Sequence, residues 1–257
     1  MTSATQLADY LDDLLRLREI PDYGNALNGL QLANQRPIAR IAAAVDFSSQ
    51  TILGAVNAGA NLLLVHHGMF WGGLQPLRGP AYTRLKTLIE RDVAVYAAHL
   101  PLDCHPVYGN NVLLAKTLGL TPTADFAKYK TISIGVRGKS DLETTTIVER
   151  AQTFARSHGG DVRHTPIVST QKTRTWAICT GSGASSETLQ EASDLGVDTL
   201  IVGEGPHHTA VEASERGMTV IYAGHYATET LGVRALSEHL EVQFGIPWTF
   251  IGAPTGL

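Results

Sequence analysis

The sequence predicts an α/β protein built as two related lobes with mostly parallel sheets. Three observations carry this reading. Apolar runs of strand length alternate with amphipathic stretches of helical period, the order that builds parallel sheets covered by helices on both faces. The second half repeats the grammar of the first. The runs "LLLVHHG", "AVYAAHLPLD" and "VIYAGHYATE" end in histidines and acids, and open α/β sheets bind their ligands beyond the carboxyl ends of strands.

Leu7, Tyr10, Leu11, Leu14 and Leu15 recur at helical spacing, so a helix is expected over about 5–18, with Ser3 or Thr5 as its N-cap. "YGNALNGLQL" reads as a Gly/Asn-rich turn, and "IARIAAAVDFS" as a buried strand whose Ser48 caps the next helix. "GANLLLVHHG" is a turn, a strand and a histidine pair at its exit. A helix near 80–91 leads into the strand "DVAVYAAHLPLD", and "GNNVLLAKTLGL" is a helix closed by Gly119. In the second half, "TWAICTGSG", "GVDTLIVGEGPHH" and "MTVIYAGHYATE" are strands, with capped helices between them and a last helix to about Gln243. Residues of about 1–128 and the C-terminal segment of about 175–257 then form the lobes around one cleft, and 129–175, which holds a strand and a helix but no histidine-acid exit, is the join between them.

With 257 residues, 44% hydrophobic and 17% charged, the chain has the composition of a globular protein with a sizeable core. A net charge of -4 gives no footprint for nucleic acid. No apolar run reaches the roughly 18 residues that span a bilayer. The acidic, amphipathic start "MTSATQLADYLDDLLRL" is unlike a signal peptide. Two cysteines, Cys104 and Cys179, are too few for a disulfide framework. These features point to a cytoplasmic protein with a small-molecule ligand and no membrane partner.

Seven of the ten histidines lie at or just beyond the ends of four expected strands. Any one alone reads best as a hydrogen-bonded structural residue. His66, His67, His99, Asp103, His225 and Glu229 together form an imidazole/carboxylate set that suits Zn, Mn, Fe, Co or Ni and disfavours a Ca or Mg cage. Neighbouring His66 and His67 point to opposite faces in a regular strand, so the backbone is expected to turn at the strand exit, each histidine then serving a different ion. Five or six protein ligands are too many for one open site but fit two ions about 3.5–4 Å apart sharing a carboxylate.

Gly181, Ser182 and Gly183 follow a strand and precede a helix; their amides suit a phosphate cradle, and a tight turn with Ser185 as N-cap explains them nearly as well. Phe70 and Trp71 in "MFWGG" offer an aromatic wall for a flat ring, or packing between lobes. Cys104 reads as a small buried hydrophobe. His158, His164 and His239 receive no role.

The segments "NGLQL", "AAVDFS", "LLVHHGMFW", "AAHLPLDCHPVYGNN", "GSG", "GEGPHH" and "AGHYATETLGV" together resemble the Nif-three-like dinuclear-metal family, labelled GTP cyclohydrolase I type 2 homologues and including the YbgI-like proteins. The resemblance spans nearly the whole chain in order, without the inserted middle domain of the long members. It implies a Nif-three-like fold with the metal site in the cleft between the lobes. It further implies that His66 and His67 bind one ion each, that Asp103 joins His66, that His225 serves the other ion, and that Glu229 touches both. His99 is implied to line the site and serve chemistry, and the chain to assemble as a homohexamer, a trimer of dimers. Gly68 departs from the residue common after the histidine pair. Glu204, His207 and His208 receive no assignment because the spacing of "GEGPHH" varies.

Two functions follow. One is a metal-dependent hydrolase in which a metal-bridged hydroxide attacks a nucleotide or phosphorylated heterocycle, with His99 shuttling the proton and Gly181, Ser182, Gly183 and Trp71 as substrate contacts; the cyclohydrolase label enters by resemblance alone. The alternative is a non-catalytic scaffold for metal storage, delivery or regulation. A third, structural clamping by the metals, predicts that chelation melts the protein.

Overall fold

A computed structural model describes residues Thr2–Leu257. In chain order the first elements are α1 (Ala4–Leu14), β1 (Gly29–Leu32), β2 (Ile41–Asp46), α2 (Ser49–Asn57), β3 (Leu62–His67), α3 (Pro80–Arg91), β4 (Ala94–Ala97), α4 (Leu100–Asp103) and α5 (Asn110–Thr117). Then come β5 (Ala124–Tyr129), β6 (Ile132–Glu143), α6 (Thr144–Ser157), β7 (Arg163–His164), β8 (Lys172–Cys179), α7 (Ser186–Asp194) and β9 (Thr199–Val202). The chain closes with α8 (His207–Glu215), β10 (Thr219–Tyr222), α9 (His225–Phe244) and β11 (Trp248–Phe250). Two compact units result: one is the stretch up to Leu102 with Gly232–Ala253, the other Asp103–Leu231 with Pro254–Leu257.

The first unit carries a sheet in the order β1-β4-β3-β2-β11. β4, β3, β2 and β11 run parallel, and β1 closes one edge antiparallel to β4. Every residue of β3 is buried, as a parallel strand between two covering layers requires. Ala42, Ala44, Leu63, Val65, Val95 and Ala97 pack on Ile52, Ala55 and Leu88 of α2 and α3. Small residues let these helices sit close: a side chain at Gly54 would strike Ile251. α1 starts with a capping box between Ser3 and Gln6 and buries Leu7, Ala8 and Leu11. It stops short of the expected residue 18 because Arg16 turns left-handed at φ 54°.

The second unit has a mixed sheet in the order β5-β6-β8-β9-β10-β7. Its run β8-β9-β10 is parallel, whereas β5, β6 and β7 pair antiparallel. β8 divides its side chains by the two-residue period. Trp176 and Ile178 join a core with Leu118, Ile147 and Phe154; Ala177 and Cys179 join one with Phe126, Leu189 and Met218.

Several expectations change here. The segment 129–175 carries its expected strand and helix as β6 and α6 and adds β7 and the start of β8; it lies within the second unit, and the unit boundaries fall at Leu102 and Leu231 rather than near 128 and 175. Parallel pairing dominates only the first sheet. "GLQL" is strand β1 rather than part of a turn, and β11 adds an edge the sequence reading lacked. Among the described residues, no helix is long and apolar enough to cross a membrane.

Candidate metal centre

In the first unit β3 delivers His66 and His67 at its last two positions, and His99 follows two residues after β4. The backbone does not turn before the pair, contrary to expectation: both residues stay in the strand, with Asp46↔His67 in register on β2. Their rings nevertheless approach to 4.8 Å between centroids, tilted by 57°. His99 lies 4.9 Å from the His66 ring and 5.6 Å from that of His67. One ligand atom from each of these buried histidines falls within 4.8 Å of the others.

What fixes the rings is the same in every case. His66 Nδ1 is 2.9 Å from the Ala98 carbonyl, His67 Nδ1 is 2.8 Å from Asp46 Oδ1, and His99 Nδ1 is 2.9 Å from Asp22 Oδ1. A carbonyl or carboxylate oxygen accepts, so Nδ1 is the donor in each ring. A metal-ligating histidine needs such an outer partner to orient its ring. Asp22 is itself held by the Leu100 amide at 3.0 Å, the Asn28 side-chain amide at 2.8 Å and the Tyr23 amide at 2.7 Å. Burial pushes the Asp22 carboxyl up, but the interactions with His99, together with the hydrogen bonds from Asn28 and the Tyr23 amide, leave its pKa lowered.

Trp71, half-buried, sits 4.6 Å from both the His67 and His99 rings, and Tyr23 stands edge-on to it at 6.5 Å. The aromatic wall thus forms against the histidines. The loop carrying it is tied back by Asn25, whose side-chain amide donates to the Trp71 carbonyl at 2.6 Å, and by Gln31, which accepts from the Met69 amide at 2.7 Å. Gly68 permits this, because a side chain there would meet Gln31 and Ala97.

In the second unit Asp103 is buried, and its Oδ1 accepts from Asn110 Nδ2 at 2.8 Å. His225 and Glu229 begin α9 one turn apart on one face. His225 Nε2 is 3.1 Å from Glu229 Oε2, and its Nδ1 is 2.8 Å from Glu204 Oε1. Burial pulls the His225 imidazolium down, but the hydrogen bond and charge of Glu229, and then those of Glu204, push its pKa up to about 9. Glu204, left unassigned from sequence, therefore orients a fourth imidazole.

The glycine turn takes the packing explanation. Gly181 has φ 62°, its amide donates to Thr228 Oγ1 at 3.1 Å, and a side chain there would strike the Glu229 carboxylate. Gly183 lies against the Cys179 carbonyl, and Ser185 caps α7 by accepting from the Thr188 amide. Ser182 is exposed. His207 and His208 are exposed at the start of α8. Cys104 is only partly buried. His239 holds the Tyr10 hydroxyl at 2.6 Å in a structural contact.

Asp22, Asp46 and Glu204 are the site residues that sequence reasoning missed. Asp46 and Glu204 had a usable signal, an acid at or beyond the carboxyl end of a strand; Asp22, in a loop, had none. The donor set fits a first-row divalent metal: imidazole nitrogens on anchored rings, plus a buried carboxylate on a neighbouring turn. The buried histidine cluster can hold a metal ion.

The chain matches, over residues 2–255, the model of the family described as Duf34/NIF3 (NGG1p interacting factor 3). A protein of Deinococcus radiodurans named GTP cyclohydrolase 1 type 2 homolog is 42% identical over 258 residues, covering 98% of this chain and 94% of the relative. Among solved structures, protein ybgI, described as of unknown function, superimposes with a TM-score of 0.89 at 32% identity, and each chain is covered in full. TTHA1606 from Thermus thermophilus gives a TM-score of 0.85 at 35% identity, again with full coverage of both chains.

Proposed function

This chain belongs to the Duf34/NIF3 family, and we propose that it is a metal-dependent hydrolase acting on a nucleotide or another phosphorylated heterocycle. The observation that carries the reading is the common anchoring of four imidazoles at Nδ1 by an oxygen acceptor, the outer partner that orients a metal-ligating ring. In the proposal His66, His67, Asp103, His225 and Glu229 would hold two divalent ions. His66 and His67 belong to the first unit and the other three to the second; that both groups serve one metal pair is the core of the proposal. When bound, such a pair supplies Lewis acidity, acidifying water and polarising the electrophilic carbon or phosphorus.

The chain's own residues do the rest. Asp46, Glu204 and the Ala98 carbonyl hold the ligand rings in place. His99, its Nδ1 proton fixed on Asp22, gives or takes a proton at Nε2. Trp71, packed on His67 and His99, stacks the flat ring of the substrate and excludes water from one side. The printed name of the Deinococcus radiodurans relative suits ring opening by water, and that specific reaction is one candidate within the class.

A second reading, metal storage or delivery without turnover, is favoured by one observation: His99 shares the 4.8 Å ligand cluster with His66 and His67, as a third ligand would. Elemental analysis of reconstituted protein, followed by a screen of nucleotides and phosphoesters with wild type and His99→Ala, separates the two. The hydrolase reading expects about two ions per chain and turnover that His99→Ala lowers about 100-fold or more with its metal retained. Wild type inert on every compound, with His99→Ala losing an ion, establishes the storage reading. Protein that takes up no ion defeats both.

A further inference from the structure

Among the described residues, no carboxylate pairs with Arg84. It lies in α3, half-buried, with its Nε shielded from solvent and making no hydrogen bond to any described residue. The chain does not lack acids, having 24 against 20 basic residues. Arg16, Arg36 and Arg174, all more than 60% exposed, each pair with a carboxylate. A shielded guanidinium N–H left unbonded calls for an explanation, and its surroundings supply one. The guanidinium carbon stands 5.8 Å from the centroid of Phe47. Phe47 leaves the carboxyl end of β2, and its amide donates to the His67 carbonyl at 2.9 Å. Asp46, the acid beside Phe47, has its Oδ1 on His67. Arg84 is thus two side chains from the histidine cluster, at the end of the sheet where ligands of such folds bind.

We propose that Arg84 is an anion anchor that receives the phosphate group of the substrate while the substrate's planar ring lies on Trp71. A guanidinium matches a phosphate through two parallel N–H bonds, which an ammonium on a longer stem does not reproduce. The inference deepens the hydrolase reading and rests on it for the location of the chemistry, but it makes its own demand on binding.

Calorimetric titration of the metal-loaded protein with AMP, adenosine and inorganic phosphate tests it, on wild type, Arg84→Met and Arg84→Lys. Wild type should prefer AMP to adenosine by about 10- to 100-fold, the worth of charge-assisted hydrogen bonds. Arg84→Met should lose that preference with metal content unchanged, and Arg84→Lys should keep part of it. AMP binding tighter than inorganic phosphate identifies the ester as the source; equal affinity identifies free phosphate, with the anion site upheld either way. Because Arg84→Met removes an unbonded donor, it should melt no lower than wild type in phosphate-free buffer. The proposal is overturned if wild type shows no preference, if Arg84→Met retains it, or if Arg84→Met is markedly destabilised. If the wild-type protein takes up no metal yet keeps the preference, the hydrolase reading fails and the anchor stands.

Discussion

Replacing Asp46 tests whether the anchored ring, rather than the mere presence of a histidine, makes a metal ligand of His67. Asp46 Oδ1 lies 2.8 Å from His67 Nδ1, and the Asp46 side chain is 35% exposed. The carboxylate contributes a charge-assisted hydrogen bond, about twice the strength of a neutral one. Asp46→Asn keeps an acceptor but loses the charge, a difference of about 1–1.5 kcal/mol, or roughly tenfold in metal affinity. Asp46→Ala removes the acceptor and frees the ring, for which loss of an outer partner implies about 10- to 100-fold. Partial exposure limits the effect on folding, so the melting temperature should fall by only a few degrees. The assay is competition for Zn²⁺ between metal-free protein and a chromophoric chelator, with melting followed in parallel. Asp46→Ala binding Zn²⁺ with wild-type affinity would refute the orienting role and remove the central support for the metal reading.

Asn111 bridges the second unit: its side-chain amide donates to the Ile134 carbonyl at 2.7 Å, and its Oδ1 accepts from the Thr180 amide at 2.8 Å. Asn111→Ala leaves both backbone groups unpaired at about 1–3 kcal/mol each. Melting should drop by about 4–24 °C, and a drop under about 2 °C would show that the bridge is dispensable. In metal-free protein His225, raised from 6.5 to about 9 by Glu229 and Glu204, binds its proton more tightly folded than unfolded. Its contribution is therefore complete below pH 6.5 and is lost as pH rises through about 9. The melting temperature should fall over that window, and the fall should flatten in His225→Gln; parallel profiles in the two proteins would exclude the His225 cluster as the cause.

The parts of the fold legible in the sequence are those whose burial leaves a pattern. β3 and β9 are continuous apolar runs, and α3 matches its expected span because Pro80 opens it and left-handed Asp92 closes it. β1, β7 and β11 are edge strands of two to four residues, too short to show alternation. In β6, Gly138 leaves room for Trp176 of β8 to pack against the strand. At the site the histidines stood out because imidazoles are rare and gathered at strand ends. Asp22 did not, because its pairing with His99 spans 77 positions of chain and no local spacing encodes it.

Three of the four anchored imidazoles lean on a side chain, and one, His66, leans on the main-chain oxygen of Ala98. A single codon change can loosen His67, His99 or His225, so drift or an engineer can tune those positions separately. The Ala98 oxygen is present whatever residue occupies the position, so the His66 ring stays set for as long as the neighbouring strand holds its register. Variants of this protein should therefore differ in how firmly they grip through three rings and agree on the fourth.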